Sequence, residues 1–323
     1  MGVVLSVRDV SVYYKSYTRT VLALDRVSLD VEEGKVVGVV GESGCGKSTF
    51  GSAIMRILPH SAEVKGNIFF RGKDLLSEDP EGMRRIRGAH ISMIFQDPMT
   101  SLNPVMKVKD HFIETIHTHK GKIAEEESMS MIKEVMDAVG ISLSRLNDYP
   151  FQFSGGMRQR MMIALSLVLH PELVIADEPT TSLDVIIQAQ ILNLLRDLQK
   201  KFGMTLVLIT HDLGVVAEMA HYIAVFYAGH VVEFAPVKEL YKDPLHPYTK
   251  LLMKAIPNID IDDRQISFIP GYPPDLSSPP PGCRFHDRCP YATDKCRKET
   301  PPEFRVNGRK VKCWLYEGER VNE

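Results

Sequence analysis

No stretch of this 323-residue chain strings together the roughly 20 apolar residues that a bilayer-spanning helix needs, so no membrane span is expected. The first residues also lack the basic start and short apolar core of a secretory leader, and a cytosolic protein is expected. An excess of one charge is missing too. Lys and Arg number 39 against 41 Asp and Glu, so net charge gives no reason to look for nucleic acid or an anionic membrane surface as partner. Sustained heptads are absent, which excludes a long coiled coil. Cysteine is scarce, at five residues, and no Cys-x-x-Cys pair occurs among them. Four of the five crowd between 283 and 313, and in a reducing compartment such crowding points to a metal before it points to disulfides. With 44% apolar residues, the chain can bury a full core and has room for one large domain plus a small appendage.

What is present is organised around Gly41-Glu42-Ser43-Gly44-Cys45-Gly46-Lys47-Ser48-Thr49. Val36 to Val40 is a short β-branched run suited to a buried strand, and Thr49 to Leu58 reads as a helix ending at Pro59. A glycine-rich turn in that setting matches the Walker A phosphate cradle. Glycines let the backbone wrap an anion and the helix start offers free N–H groups. Lys47 can reach the β- and γ-phosphates, and the Ser48 hydroxyl can bind magnesium. Cys45 fills a free position of the motif as a small packing residue, not a nucleophile.

Ahead of the cradle, Val3 to Tyr14 and Val27 to Val31 read as antiparallel edge strands. Tyr14, at the end of the first, suits stacking on an adenine ring, although a tyrosine packed on a sheet gives the same pattern. After the cradle come a hairpin at Ile68 to Gly72 and a buried strand, Ile91 to Phe95, that delivers Gln96 at its carboxyl end, where parallel α/β sheets bind ligands. Residues 105 to 119 and 124 to 140 read as successive helices, a helical insertion into the sheet fold. Ser154-Gly155-Gly156 opens a methionine-rich helix, either as a second anion site or as an ordinary cap. Leu173 to Glu178 is a buried strand finishing in two acids, which suits Asp177 to a magnesium ion and Glu178 to an attacking water. Pro179 to Asp184 turns into a helix reaching Phe202, and the strand Met204 to Ile209 brings His211 to its end.

In this order the motifs resemble an ABC-type nucleotide-binding domain over residues 3 to 235. Gly41 to Ser48 match Walker A, Gln96 the Q-loop, Ser154 to Gln159 the signature, and Leu173 to Glu178 Walker B. Ser182 to Asp184 match the D-loop and His211 the switch. The signature departs at Phe153 and Met157, positions usually leucine and glutamine; both changes are expected to be tolerated. The implied fold is α/β: a RecA-like core with an antiparallel β subdomain and an inserted helical subdomain, about 97–170. The resemblance assigns catalysis to Glu178, His211, Lys47 and Gln96. Nucleotide binding falls to Tyr14, Gly41, Ser43, Gly44, Cys45, Gly46, Lys47, Ser48, Thr49, Gln96, Ser154, Gly155, Gly156 and Asp184, and magnesium to Ser48, Gln96 and Asp177.

The tail narrows the family. Leu245-His246-Pro247-Tyr248-Thr249, the prolines from Pro270 to Pro281, and Cys283 to Pro290 resemble the C-terminal extension of dipeptide and oligopeptide importer ATPases. Import of short peptides is the implied task, with nickel or oligosaccharide as alternative cargo and a soluble ABC protein acting on nucleic acid as the rival class. The implied partners are a paralogous ATPase subunit in a heterodimer, two membrane-spanning channel subunits and, indirectly, an extracytoplasmic peptide-binding protein, at the cytoplasmic face of the membrane. The expected partition is 1–235 cassette, 236–269 helical connector, and 270–323 proline-rich linker and cysteine module. Cysteine spacings of five, six and sixteen intervening residues are looser than the usual zinc pairs and suit a bulkier cluster at Cys283, Cys289, Cys296 and Cys313. The resemblance names it as 4Fe–4S, with zinc as the alternative. Local Lys and Arg are expected to offset the cluster's charge, and the module to lie far from the ATP site.

Overall fold

The computed structural model describes residues 2–97, 101–181, 183–255 and 269–318. The strands, in chain order, are β1 (Val3–Lys15), β2 (Thr20–Glu32), β3 (Val36–Val40), β4 (Ala62–Phe70), β5 (Lys73–Asp74) and β6 (Ile91–Ile94). They continue with β7 (Leu173–Asp177), β8 (Thr205–Ile209), β9 (Tyr222–Tyr227), β10 (His230–Pro236), β11 (Phe304–Val306) and β12 (Arg309–Val311). Two units divide the chain. One gathers Met1–Val4, Glu32–Lys35 and Ser77–Leu208; the other gathers Leu5–Val31, Val36–Leu76 and Ile209–Glu323.

In the first unit, β6 and β7 pair in parallel from Ile91↔Leu173 to Ile94↔Ala176, and both are buried along their whole length. Near-continuous apolar runs, interrupted here by the buried Ser92 in β6 and ended by Asp177 in β7, are what a parallel strand covered on both faces requires. The same unit holds the helices Val108–Lys120, Glu125–Val139 and Gly155–Leu167. The helix Glu125–Val139 shows why it forms. Three glutamates fill its first turn, Ile132, Val135, Met136 and Val139 make one buried stripe, and Gly140 ends it in the left-handed conformation.

The second unit holds the antiparallel sheet in the order β2-β1-β4-β5 and the run β11-β12-β10-β9-β3. β1 therefore lies between β2 and β4. It is an interior strand, which corrects the expectation that both early strands are edges; β2, at the edge, begins at Thr20 and not at Val27. A bulge between Arg8 and Ser11, with Asp9 at φ 48°, lets β1 keep Val10 and Val12 buried. The helix after the phosphate loop is Lys47–Met55, shorter than expected, because Arg56 turns left-handed at its end.

Part of the later segment of this unit pairs with its sheet. Asn307 and Gly308 both have positive φ and close the β11–β12 hairpin, the pairing that a two-residue Asn-Gly turn favours. β12 then pairs antiparallel with β10 at Glu233↔Val311 and Phe234↔Lys310. Leu245, Val306, Val311 and Cys313 form a small core there, flanked by Phe304 and Tyr316. The connector region contains the helices Val237–Lys242 and Pro247–Lys254, while its residues 256–268 lie outside the described residues. Among the described residues no helix is long and apolar enough to cross a membrane.

Candidate functional site

The phosphate loop leaves β3, all five of whose residues are buried, and enters the helix Lys47–Met55. Two of its glycines are dictated by contact. A Cβ on Gly41 (φ 148°) would lie 2.1 Å from the Phe226 carbonyl oxygen, and one on Gly46 (φ 103°) 2.5 Å from that of Ala23. The buried Lys47 donates from Nζ to the Gly41 carbonyl at 2.8 Å and to the Glu42 carbonyl at 3.0 Å, curling the loop around its ammonium group. Ser43, Gly44 and Ser48 are exposed at the loop's rim. Cys45 is buried, and burial pushes its thiol up, so it packs as a neutral side chain. Tyr14 meets the helix start through its hydroxyl, 3.2 Å from Thr49 Oγ1. Thr210 donates its N–H to Val39 at 3.1 Å, setting the exposed His211 just beyond the end of β8.

The first unit gathers the carboxylates. Asp177 ends β7 and is buried. Glu178 follows at φ 44°, a left-handed conformation that costs a non-glycine residue about 1–2 kcal/mol and turns its side chain out of the strand. Its Oε2 accepts from Gln96 Nε2 at 3.2 Å and from Thr181 Oγ1 at 2.9 Å. Gln96 and Glu178, read separately from two strand ends, thus come together. Ser154 caps the helix Gly155–Leu167, accepting from the Met157 N–H at 3.4 Å, and Asp184 caps Val185–Phe202, accepting from Ile187 at 3.0 Å. A Cβ on Gly156 would sit 2.7 Å from Ile187 Cγ2, so this glycine is needed for helix packing as well as for any anion. Ser182 lies outside the described residues.

In the second unit Cys283, Cys289, Cys296 and Cys313 line one cavity of about 200 Å³, together with His246 and Trp314. Burial pushes the Cys283 thiol up to about 12 and that of Cys313 up to about 11, and raises Cys289 as well. Backbone contacts fix the arrangement. Cys283 donates its N–H to the Cys296 carbonyl at 2.8 Å, and a Cβ on Gly282 would be 2.4 Å from that same oxygen. Among the described residues no three His, Cys, Asp or Glu side chains are close enough to hold a single metal ion.

Two expectations about this segment need correction. Much of its positive charge is spent on ion pairs elsewhere in the unit. Arg284 bonds Asp25 at 2.9 Å, Arg309 bonds Asp243 at 3.1 Å, and Arg288 grips the two Glu42 oxygens at 2.7 and 2.9 Å. Nor is the segment remote from the phosphate loop, because Glu42 belongs to that loop. Tyr248, from the Leu-His-Pro-Tyr stretch, also reaches it, accepting the Glu42 N–H at 3.0 Å. Neither the Leu-His-Pro-Tyr stretch nor Arg288 carries a local sequence signal for this role, because their partner Glu42 lies 206 and 246 residues away.

The sequence profile of the family described as ABC transporter matches residues 24–181, and that of the oligopeptide/dipeptide transporter C-terminal region matches residues 232–296. A dipeptide transport ATP-binding protein of Bacillus subtilis is 47% identical, over 98% of this chain and 95% of its own length. This chain belongs to the ATP-binding subunits of dipeptide and oligopeptide ABC transporters. An oligopeptide transport ATP-binding protein of the same organism is 45% identical across 96% of this chain and 88% of its own. Among solved structures, a dimeric ATP-binding cassette in a post-hydrolysis state with ADP and Pi superimposes with a TM-score of 0.65 at 27% identity, covering 72% of this chain and 98% of that one. The ABC transporter subunit is accordingly an ATPase with the ABC fold, and ATP and Mg2+ are its expected ligands.

Proposed function

We propose that this subunit hydrolyses ATP at the cytoplasmic face of the membrane to drive import of short peptides through a channel complex. Backbone N–H groups of Gly41, Ser43, Gly44, Cys45 and Gly46, with Lys47 and Thr49, bind the phosphates, and Tyr14 lies against the adenine. Ser48, Gln96 and Asp177 hold Mg2+, which when bound neutralises charge on the phosphate oxygens. Glu178 orients and polarises the attacking water, and His211 contacts the γ-phosphate. Ser154, Gly155, Gly156 and Asp184 serve the nucleotide of a partner ATPase subunit.

The observation that carries this reading is the aim of Glu178: a strained backbone and two hydrogen bonds, from Gln96 and Thr181, hold one carboxylate at the end of β7. Fixing a base costs stability and repays it in orientation. Replacing Glu178 by Gln tests it. Nucleotide binding should persist while steady hydrolysis falls by about 100-fold or more, the usual contribution of a positioned base. Hydrolysis near the wild-type rate refutes the assignment.

Apolar side chains left exposed support the partners. Val185 and Ile186, beside Asp184, are 80% and 71% exposed and suit the face of a paralogous ATPase subunit. Phe95, Val105 and Phe151, exposed in the first unit, suit the two channel subunits, and an extracytoplasmic binding protein delivers peptide to that channel. The chain is read as a cassette over 1–235 with its helical subdomain at about 97–170, a connector over 236–269 and a cysteine module over 270–323.

Cys283, Cys289, Cys296 and Cys313 are assigned to a 4Fe–4S cluster. Zinc bound by four thiolates at about 2.3 Å brings its sulfurs to about 3.8 Å of one another. All four thiols line one cavity of about 200 Å³, which supports a larger group shared among them. A bound cluster supplies a crosslink between the 283–296 loop and Cys313 and keeps as thiolates groups that burial otherwise holds protonated.

A further inference from the structure

Arg288 carries out no step of the reaction described above, yet its surroundings are unusually complete. It is buried, and its guanidinium donates from Nη1 and Nη2 to the two carboxylate oxygens of Glu42 and from Nε to the Pro270 carbonyl at 2.7 Å. It also lies over the rings of Tyr227 and Phe285, at 5.7 and 6.0 Å from their centroids. A planar fork is the group that holds a carboxylate in one orientation.

Glu42 is the second residue of the phosphate loop and is held at each of its polar groups. Its N–H goes to Tyr248 Oη, its carbonyl accepts from Lys47 Nζ, and its carboxylate is gripped by Arg288. The last contact has two effects. It removes a conformational freedom from the loop, and it neutralises a carboxylate that would otherwise repel bound phosphate. Arg288 also directly precedes Cys289. Phe285 stands edge-on to Tyr227, with centroids 5.1 Å apart, and 5.4 Å from Tyr248, so the backbone that carries two cysteines and the two side chains gripping Glu42 pack as one block.

We propose that Arg288 is a positioning residue for nucleotide binding, a strut that fixes the phosphate loop through Glu42 and ties that loop to the cysteine-lined cavity. This rests on the reading of residues 41–49 as the ATP phosphate loop.

The test measures the affinity of the full chain for MgADP by calorimetry, with thermal unfolding confirming that each variant is folded. Arg288→Ala should raise Kd about tenfold, a change equal to about 1.4 kcal/mol, and Arg288→Lys should fall between because it keeps the charge and loses the fork. Adding Glu42→Gln to Arg288→Ala should restore affinity to within about threefold of wild type, since the uncompensated carboxylate is then gone; a merely structural arginine would not be rescued this way. A Kd for Arg288→Ala within about twofold of wild type, or a double variant no tighter than Arg288→Ala, overturns the proposal. The phosphate-loop reading is judged separately, by tight binding to wild type that Lys47→Ala abolishes.

Discussion

Glu233 offers the sharpest stability test of the links between the later residues and the phosphate loop. It sits on β10, is 1% exposed, and lies just past the register shift that follows Val231. Oε1 accepts the Leu245 N–H and Oε2 the His246 N–H, both at 2.8 Å. These amides lead directly into the helix Pro247–Lys254 that carries Tyr248. Hydrogen bonds to a charged acceptor contribute about 1.5–3 kcal/mol each, so Glu233→Ala forfeits about 3–6 kcal/mol and strands two buried donors. Relief from burying a carboxylate, visible in the upward push that burial gives its pKa, returns part of this, leaving about 3 kcal/mol. Glu233→Gln keeps one acceptor and should lose about half as much. Urea unfolding with linear extrapolation measures both, and MgADP affinity should weaken in parallel as Tyr248 shifts. Stability of Glu233→Ala within about 1 kcal/mol of wild type, or a glutamine variant no better than the alanine, would refute the reasoning.

Acid should weaken the fold well above the carboxylate range. Burial, reinforced by the charge of Arg284, holds His230 down to about 4, and burial holds His246 down to about 3. Both stay neutral when folded while the unfolded chain protonates below about 6.5, so stability is full above that pH and falls on the way to 4. At pH 5 the loss is about 2 kcal/mol per histidine, offset in part by Glu233, which burial shifts the other way. Asp25, held low by its hydrogen bond to His230, adds its own loss only below about pH 4. Urea midpoints unchanged between pH 7 and 5 would contradict this. Anaerobically purified protein should contain iron and acid-labile sulfide, lost on changing Cys283, Cys289, Cys296 or Cys313 to Ser and kept in Cys45→Ser; one zinc per chain without sulfide would replace the cluster by a zinc site. The isolated subunit should hydrolyse ATP slowly until its paralogue is added, and cooperative ATPase from a tight homodimer would count against hetero-pairing.

The parts of the site legible in the sequence are those whose chemistry is contiguous. An anion cradle needs its glycines, lysine and hydroxyl within nine residues, and Val36 to Val40 could hardly be anything but a buried strand. Gln96 and Glu178 were legible one at a time, as polar residues ending apolar runs, and the fold supplied their 3.2 Å contact. What stayed hidden depends on partners far along the chain. Nothing near Glu42 names Arg288, 246 residues away, and nothing near Asp25 names Arg284, 259 away. The order of strands is equally non-local, which is why β1 read as an edge. The Asn307-Gly308 hairpin is a local signal that the expectations above leave unused, since that dipeptide between Phe304-Arg305-Val306 and Arg309-Lys310-Val311 is a strong indication of a turn.

The distance between Glu42 and Arg288 also bears on how the protein is made. During synthesis the phosphate loop emerges early, but the residues that clamp it follow only after most of the chain has left the ribosome. Contacts of such separation form late, because closing the intervening loop must precede any gain from them. A nascent or truncated subunit that ends before Arg288 therefore lacks the group that clamps Glu42.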